Sequence, residues 1–595
     1  MKKIIQGRSL PFFGFFLCPF FTFLLTESYC YNPFTDMKPV VWALNLVFYW
    51  GVAALLFVLT GRLRAALRMQ TAMFMLTGLA NYYVISFRSS PILPWDIYSA
   101  GTAASVADNF SYALSARAWL VLLGFAALLL AEQLFCCRVE RKRLRMAGGL
   151  AAALLLSGMT LLLHQEEVIS GLRLYDKMFT PGVVQKRNGS AVAFLMELKY
   201  VHAEKPDGYD AQACRKLLEA YGEGDETEAG GSVLPSEKPP HIIVIMNESF
   251  ADMSWIGELP CNKDYMPYFH SLQRAENTVS GKLHVSVLGG NTANTEFEFL
   301  TGNTMAFLPQ GSIPYQQHIR GALPSLASEL KERGYFCVAM HPYHAKGWSR
   351  QQVYPFMGFD EMHFLPDYAN ADYVRKYVSD ASDFAQIIET YENRRPDQPL
   401  FLFNVTMQNH GGYDQEFANF TPQIKVEGIA STSLSQYLSL IFLTDQALKE
   451  LIAYFSAQEE EILVLFFGDH QPNDTVAAPV LKNNKTTVRE LTPEQEMKRY
   501  EVPFVLWANF DIKEERDREM SANFLALEVL RQAGIPLQGY YGYLETLQQR
   551  YPVISGKQIL DESGRRLTDE ERKESQELLT YQRLQYYRLF DAGRS

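Results

Sequence analysis

The chain has 595 residues, 48% hydrophobic and 20% charged, with a formal net charge of −11. Its apolar residues crowd into the first quarter in runs too long for a globular core, which excludes a simple cytosolic enzyme. The acidic balance argues against a nucleic-acid binder and the 13% aromatic content against disorder; seven cysteines with no CxxC pair and no even framework argue against a disulfide scaffold or a cysteine-zinc site.

Five stretches approach the ~20 apolar residues that a helix needs to cross a bilayer: 10–26, 39–60, 69–87, 118–137 and 146–164. Lys2 and Lys3 give the first the look of a secretory signal, but no small-residue cleavage site stands out near Glu27, so it reads as a retained helix. Eleven basic residues (Lys2, Lys3, Arg8, Arg62, Arg64, Arg68, Arg138, Arg141, Lys142, Arg143, Arg145) fall on one set of alternating flanks, and three (Lys38, Arg88, Arg117) on the other. That bias puts the N-terminus in the cytoplasm and everything beyond His164 outside the membrane. Ionisable residues inside the spans are few, chiefly Glu132, which suits an anchor better than a transporter. Residues 165–240 then read as a membrane-proximal segment followed by a Gly-, Glu-, Ser- and Pro-rich flexible linker from 223.

From His241 short apolar runs alternate with helical patterns, the sign of an α/β layered fold with strands buried on both faces. Four runs, 241–246, 335–340, 400–405 and 461–467, lead into Asn247-Glu248-Ser249, His341, Asn409-His410 and Gly468-Asp469-His470. Ligands in open α/β sheets bind beyond the carboxyl ends of the strands, so the pattern gathers Glu248, His341, His410, Asp469 and His470 at one rim. A further run, 502–507, reads as another core strand. Two carboxylates and an imidazole suit a divalent ion such as Mn²⁺ or Zn²⁺. The nucleophile falls in Leu288-Gly289-Gly290-Asn291-Thr292-Ala293-Asn294-Thr295-Glu296-Phe297, where a threonine hydroxyl beside a cation ionises more readily than in water. Alternatively, Thr292 merely caps a helix that starts near Thr295.

At these residues the chain resembles the lipoteichoic acid synthase family, within the alkaline phosphatase and sulfatase superfamily. The resemblance implies an N-terminal five-helix transmembrane domain followed by an extracellular sulfatase-like α/β/α domain, set in a bacterial cell membrane. It maps the metal ligands onto Glu248, Asp469 and His470, with Thr292 as catalytic threonine and further ligand; Thr295 stands where the family has serine. It maps the substrate-binding residues onto His341, Trp348, Arg350 and His410, and Tyr343 stands where the family has an acidic residue. The implied domains are 1–164, the anchor; 165–240, the connecting segment; 241–545, the catalytic domain; and 546–595, a helical extension. The implied activity is a glycerophosphotransfer that needs one divalent cation, Mn²⁺ before Mg²⁺ or Zn²⁺. Its donor is phosphatidylglycerol, and its acceptor is a growing glycerol phosphate polymer on a glycolipid. Within enzymes the alternatives are a related phosphoglycerol or phosphoethanolamine transferase, or a sulfatase-like phosphohydrolase. A typical sulfatase Cys/Ser-x-Pro-x-Arg motif is absent from the nucleophile segment. Outside enzymes the alternative is a catalytically silent envelope scaffold.

Overall fold

A computed structural model describes residues 9–88, 91–99, 113–138, 142–175, 181–201, 203–222, 238–309, 311–488 and 490–592. The chain divides into two compact units, 1–97 with 112–202, and 98–111 with 203–595. Of the sequence expectations, the basic residues Lys2, Lys3, Arg8 and Arg141 and most of the 223–240 linker fall outside the described residues.

The first unit is helical. Among the described residues, four of its helices contain stretches long and apolar enough to cross a membrane, Pro11–Ser28, Pro39–Thr60, Ala116–Leu134 and Arg145–Leu163. The expected third span lies in the longest helix of the unit, Leu63–Arg88, which carries Arg64, Arg68, Gln70 and Asn81 and is correspondingly less apolar. Its polar residues tie helices together. Thr71 donates to Glu132 at 2.6 Å and lies 3.1 Å from Thr22, and the Gln70 amide donates to the Tyr49 carbonyl at 2.7 Å. Such bonds satisfy groups that lipid would leave bare.

The second unit is built on an eight-stranded sheet: β1 (His241–Asn247), β2 (Thr278–His284), β3 (Phe336–Met340), β4 (Glu361–His363), β5 (Leu400–Val405), β6 (Ile462–Gly468), β7 (Glu501–Ala508) and β8 (Glu515–Ser521). Their order is β8-β2-β7-β6-β1-β5-β3-β4, and among these strands only β7 runs against the rest. The central strands are apolar on both faces, as a sheet covered by helices on each side requires. Ile242, Val244 and Met246 of β1 enter one core, with Phe297 and Phe299 of helix Thr292–Thr301 and Leu527 and Leu530 of helix Leu525–Gln532. Ile243 and Ile245 enter the other, with Ile387 of helix Asp380–Glu392 and Leu448 of helix Thr432–Ser456. This is a three-layer α/β/α arrangement, and the expected strand endings of β1, β3, β5 and β6 share one rim because those strands are parallel.

The C-terminal residues join the first of these cores. Leu578, Tyr581 and Leu584 of helix Gln576–Phe590 are buried there, as are Tyr540, Tyr541 and Tyr543. These tyrosines are packing residues, with Tyr540 and Tyr581 both donating to the Gly302 carbonyl, at 3.1 and 2.6 Å.

Candidate active site

Glu248 follows β1, and its backbone N–H donates to Thr406 Oγ1, just beyond β5, at 3.1 Å. Asp469 follows β6. Its Oδ1 accepts the Ser249 and His470 N–H groups at 2.7 and 2.8 Å, which fixes the carboxylate and aims Oδ2 inward. His470 Nδ1 lies 3.0 Å from the Gln471 carbonyl, which accepts only, so Nδ1 carries the proton and Nε2 presents a lone pair. That Nε2 lies 3.2 Å from Asp469 Oδ2 and 3.7 Å from Glu248 Oε1, and one ligand atom from each of the three residues falls within 4.8 Å of the others.

Asp469 Oδ2 and His470 Nε2 are buried without any hydrogen bond, although they stand close together. Burial pushes the carboxyls of Glu248 and Asp469 above the usual carboxylate range, and in Glu248 the neighbouring Asp469 adds to it. Two desolvated carboxylates and an imidazole nitrogen, converging with Asp469 Oδ2 and His470 Nε2 lacking a hydrogen-bond partner, fit a divalent cation. A second group of the same residue types, His284, Glu501 and Glu519, makes a useful contrast. There His284 contacts Glu519 at 2.7 Å and Gln558 at 3.2 Å through its two ring nitrogens, and Lys282 neutralises Glu501 at 3.2 Å, so that cluster is internally satisfied.

Thr292 is the first residue of helix Thr292–Thr301, and its Oγ1 donates to Glu248 Oε2 at 3.3 Å. The expected helix start near Thr295 is thus three residues late. Asn291 before it is left-handed, with φ 66°, and Gly289 and Gly290 have φ 68° and 149°. Gly289 also lies against the loop that follows Asp469 and His470: its N–H donates to Gln471 O at 2.9 Å, and a Cβ there would fall 2.9 Å from Asn473 Cβ. Thr295 Oγ1 donates to the Asp469 carbonyl at 2.8 Å, so of the two threonines it is Thr292 that faces the cluster.

His341 and His410 approach from β3 and β5. His341 Nδ1 lies 2.8 Å from Val405 O and its Nε2 lies 3.0 Å from Arg350 Nη1. Arginine only donates, so His341 is the neutral Nδ1–H tautomer. Burial, reinforced by Arg350, holds its pKa well below the ordinary imidazole range. His410 Nδ1 meets Tyr377 Oη at 3.0 Å; burial lowers its pKa while the charge of Glu248 works in the opposite direction.

Arg350 departs from expectation. Its fork, read from sequence as a phosphate grip, closes on Glu296: Nε meets both carboxylate oxygens at 3.0 and 3.2 Å, and Nη2 also contacts Oε1. Tyr354 donates to Glu296 as well, at 2.7 Å. A buried guanidinium needs a counter-charge, and Glu296, one turn beyond Thr292, supplies it. Trp348 is half-buried against the first core, and both it and Ser349 are left-handed, with φ 52° and 62°. Sequence reasoning missed Arg375, which sits 5% exposed on a short hairpin and donates to the carbonyls of Gln408 and His410, at 2.9 Å for the former. Nothing local in Tyr373–Val378 marks it; only the tertiary fold brings it there.

Residues 240–535 match the family described as Sulfatase. A relative described as a putative cyclic beta-1,2-glucan modification protein from Rhizobium meliloti (strain 1021) is 32% identical over 405 residues, 67% of this chain and 61% of that protein's length. Lipoteichoic acid synthase 1 of Bacillus subtilis (strain 168) is 20% identical over 489 residues, 80% of this chain and 72% of its own. The structure of the Streptococcus pyogenes phosphoglycerol transferase GacH in complex with sn-glycerol-1-phosphate superposes with a TM-score of 0.50 at 20% identity, over 64% of this chain and 94% of that one; at that identity the likeness is one of fold. The α/β/α sheet and the rim described above lie within the segment that matches the Sulfatase family, and the same chain carries N-terminal helices long and apolar enough to span a membrane; the chain spans 61% of the length of the glucan-modification relative.

Proposed function

We propose that the protein is a metal-dependent glycerophosphotransferase that takes glycerol phosphate from phosphatidylglycerol and passes it, by way of Thr292, to an acceptor hydroxyl outside the cell. One observation carries this reading: a threonine hydroxyl at a helix N-terminus lies 3.3 Å from Glu248, beside buried Asp469 and His470 atoms that lack any hydrogen bond. Glu248, Asp469 and His470 would hold the cation, expected to be Mn²⁺, which would lower the cost of ionising Thr292 and of charge on the phosphorus oxygens.

Thr292 Oγ1 attacks phosphorus in line, and diacylglycerol leaves, taking up a proton. The N-terminus of the helix favours the anionic group held on Thr292. His410, kept neutral by burial and steadied by Tyr377, faces the phosphoryl group; His341 is aligned by Arg350 and Val405. An acceptor oxygen then displaces Thr292. Five crossings with the N-terminus in the cytoplasm keep the site at the outer leaflet, which raises the effective concentration of a lipid donor. The likeness to lipoteichoic acid synthase favours the end of a glycerol phosphate polymer as acceptor. The greater identity to a protein described as modifying a cyclic glucan favours a second reading, a glucan hydroxyl.

The test uses the purified full chain in detergent with phosphatidylglycerol and Mn²⁺. Diacylglycerol should be released, release should stop with chelator, and phosphatidylethanolamine should not substitute. Release from wild type that survives chelation, or that the Thr292→Ala protein retains, would remove the reading.

A further inference from the structure

Four side chains behind the site close a ring of hydrogen bonds. Asn247 ends β1, immediately before Glu248, and Asn409 lies beyond β5, immediately before His410. Asp380 begins helix Asp380–Glu392, and Thr444 lies midway along helix Thr432–Ser456. All four are fully buried. The Asn409 amide donates to Asn247 Oδ1 and to Thr444 Oγ1, both at 2.9 Å. Asn247 Nδ2 and Thr444 Oγ1 in turn donate to Asp380 Oδ2, at 3.0 and 2.5 Å. Two donor chains thus run in parallel from Asn409 to Asp380, and their direction is fixed because a carboxylate only accepts.

The ring reaches the site through the backbone. The Asn247 carbonyl accepts the Asp469 N–H at 3.3 Å, so Asn247 holds one carboxylate residue of the cluster and directly precedes the other. On the opposite side, Gln408 Oε1 accepts the Asp380 N–H at 3.0 Å, and Tyr413 donates to the Asn409 carbonyl at 2.5 Å. The segment that leads to His410 is thereby tied to the same two helices as the segment that leads to Glu248. Apolar side chains of like volume would fill this space without imposing direction. A buried polar ring admits one arrangement, since opening any corner strands a desolvated donor or acceptor.

We infer that Asn247, Asp380, Thr444 and Asn409 form a positioning device that sets Glu248 and His410 in register across β1 and β5, so that the cation and the phosphoryl group meet at one place. The inference rests on the transferase reading above and adds to it residues that act through others.

The test uses the full chain in detergent. Mn²⁺ affinity is measured by calorimetry, the environment of bound Mn²⁺ by electron paramagnetic resonance, and diacylglycerol release from phosphatidylglycerol separately. Thr444→Val keeps the volume and opens the ring; Thr444→Ser gives the hydroxyl back. Thr444→Val should weaken Mn²⁺ binding and lower kcat, each by about tenfold to a hundredfold, with KM for phosphatidylglycerol changed by about threefold or less. Thr444→Ser should stay within about threefold of wild type in affinity and kcat. Asp380→Asn should do the same, because its carbonyl can accept both bonds while its amide takes the place of Oδ1, which has no hydrogen bond among the described residues. Asn409→Ser opens the ring at another corner and should reproduce the effects of Thr444→Val. A folded Thr444→Val or Asn409→Ser protein with unchanged Mn²⁺ affinity, spectrum and kcat overturns the inference. Failure of both variants to fold also overturns it, by making the ring purely structural. Mn²⁺ affinity that falls when the ring is opened, in a chain that releases no diacylglycerol, upholds the positioning and discards the donor reading instead. A wild type that binds no Mn²⁺ discards both.

Discussion

Thr292 and Thr295 share a helix turn, but the structure gives them different work. Thr295 spends its hydroxyl on the Asp469 carbonyl, whereas Thr292 spends its own on a carboxylate of the cluster. Thr292→Ala should therefore lower transfer by roughly a thousandfold or more while the melting temperature stays near that of wild type. Arg350 belongs at this scale too. Removing its guanidinium strands a buried Glu296, so Arg350→Ala should cost about 3–5 kcal/mol in denaturant unfolding, well beyond the loss of a surface ion pair. Such a loss marks a residue that aligns His341 and holds the helix beginning at Thr292. A pure phosphate contact would lower activity at little cost in stability.

A third residue-level expectation concerns Asp383. Burial raises its carboxyl to about 8, with the charge of nearby Asp380 adding to the effect, and the group accepts from Asn404 and Tyr368 at 2.8 and 2.9 Å. A folded-state pKa above the unfolded value means that the folded chain holds the extra proton. The stabilisation is complete below about pH 4 and is lost as pH rises toward 8. Asp383→Asn, which resembles the protonated acid, should flatten this decline. Denaturant unfolding at pH 5 and pH 8 measures it, and a variant that loses stability as steeply as wild type would count against it.

The strand endings were legible at the level of elements because a fully buried parallel strand leaves an unbroken apolar run, and the first polar residues after it reach the rim. Four such endings named Glu248, His341, His410, Asp469 and His470. The helix that begins at Thr292 was harder to place. Its start depends on three successive left-handed residues, Gly289, Gly290 and Asn291, and no periodicity reveals those. Arg375 and the pairing of Arg350 with Glu296 were hidden for another reason: each is a contact between distant segments, and a side chain's type does not say whether its partner is substrate or protein. Gly289 carries a prediction of its own. With φ 68° and 2.9 Å to Asn473 from an added Cβ, Gly289→Ala should cost about 1–3 kcal/mol and displace Thr292 from Glu248, seen as a fall in kcat larger than any change in KM.

At the scale of the whole molecule, the site sits in a unit whose core is closed by its own late residues. Cation binding should register as stability as well as activity. At a hundredfold excess over its dissociation constant, Mn²⁺ should add about 2.7 kcal/mol to the unfolding free energy of the second unit, and chelator should remove it. Asp469→Asn should abolish that gain, and an unchanged gain would place the ion elsewhere.

The two tyrosine bonds to the Gly302 carbonyl have an implication for biogenesis. Gly302 ends the helix that begins at Thr292, Arg588 donates to the neighbouring Thr301 carbonyl at 3.1 Å, and Gln585 holds Thr304 at 2.8 and 3.0 Å. The helix that begins at Thr292 is thus pinned from behind by side chains made almost three hundred residues later. A nascent chain lacking residues 576–590 keeps the Tyr540 bond but lacks those of Tyr581, Gln585 and Arg588, so on the transferase reading full activity should wait until that helix docks.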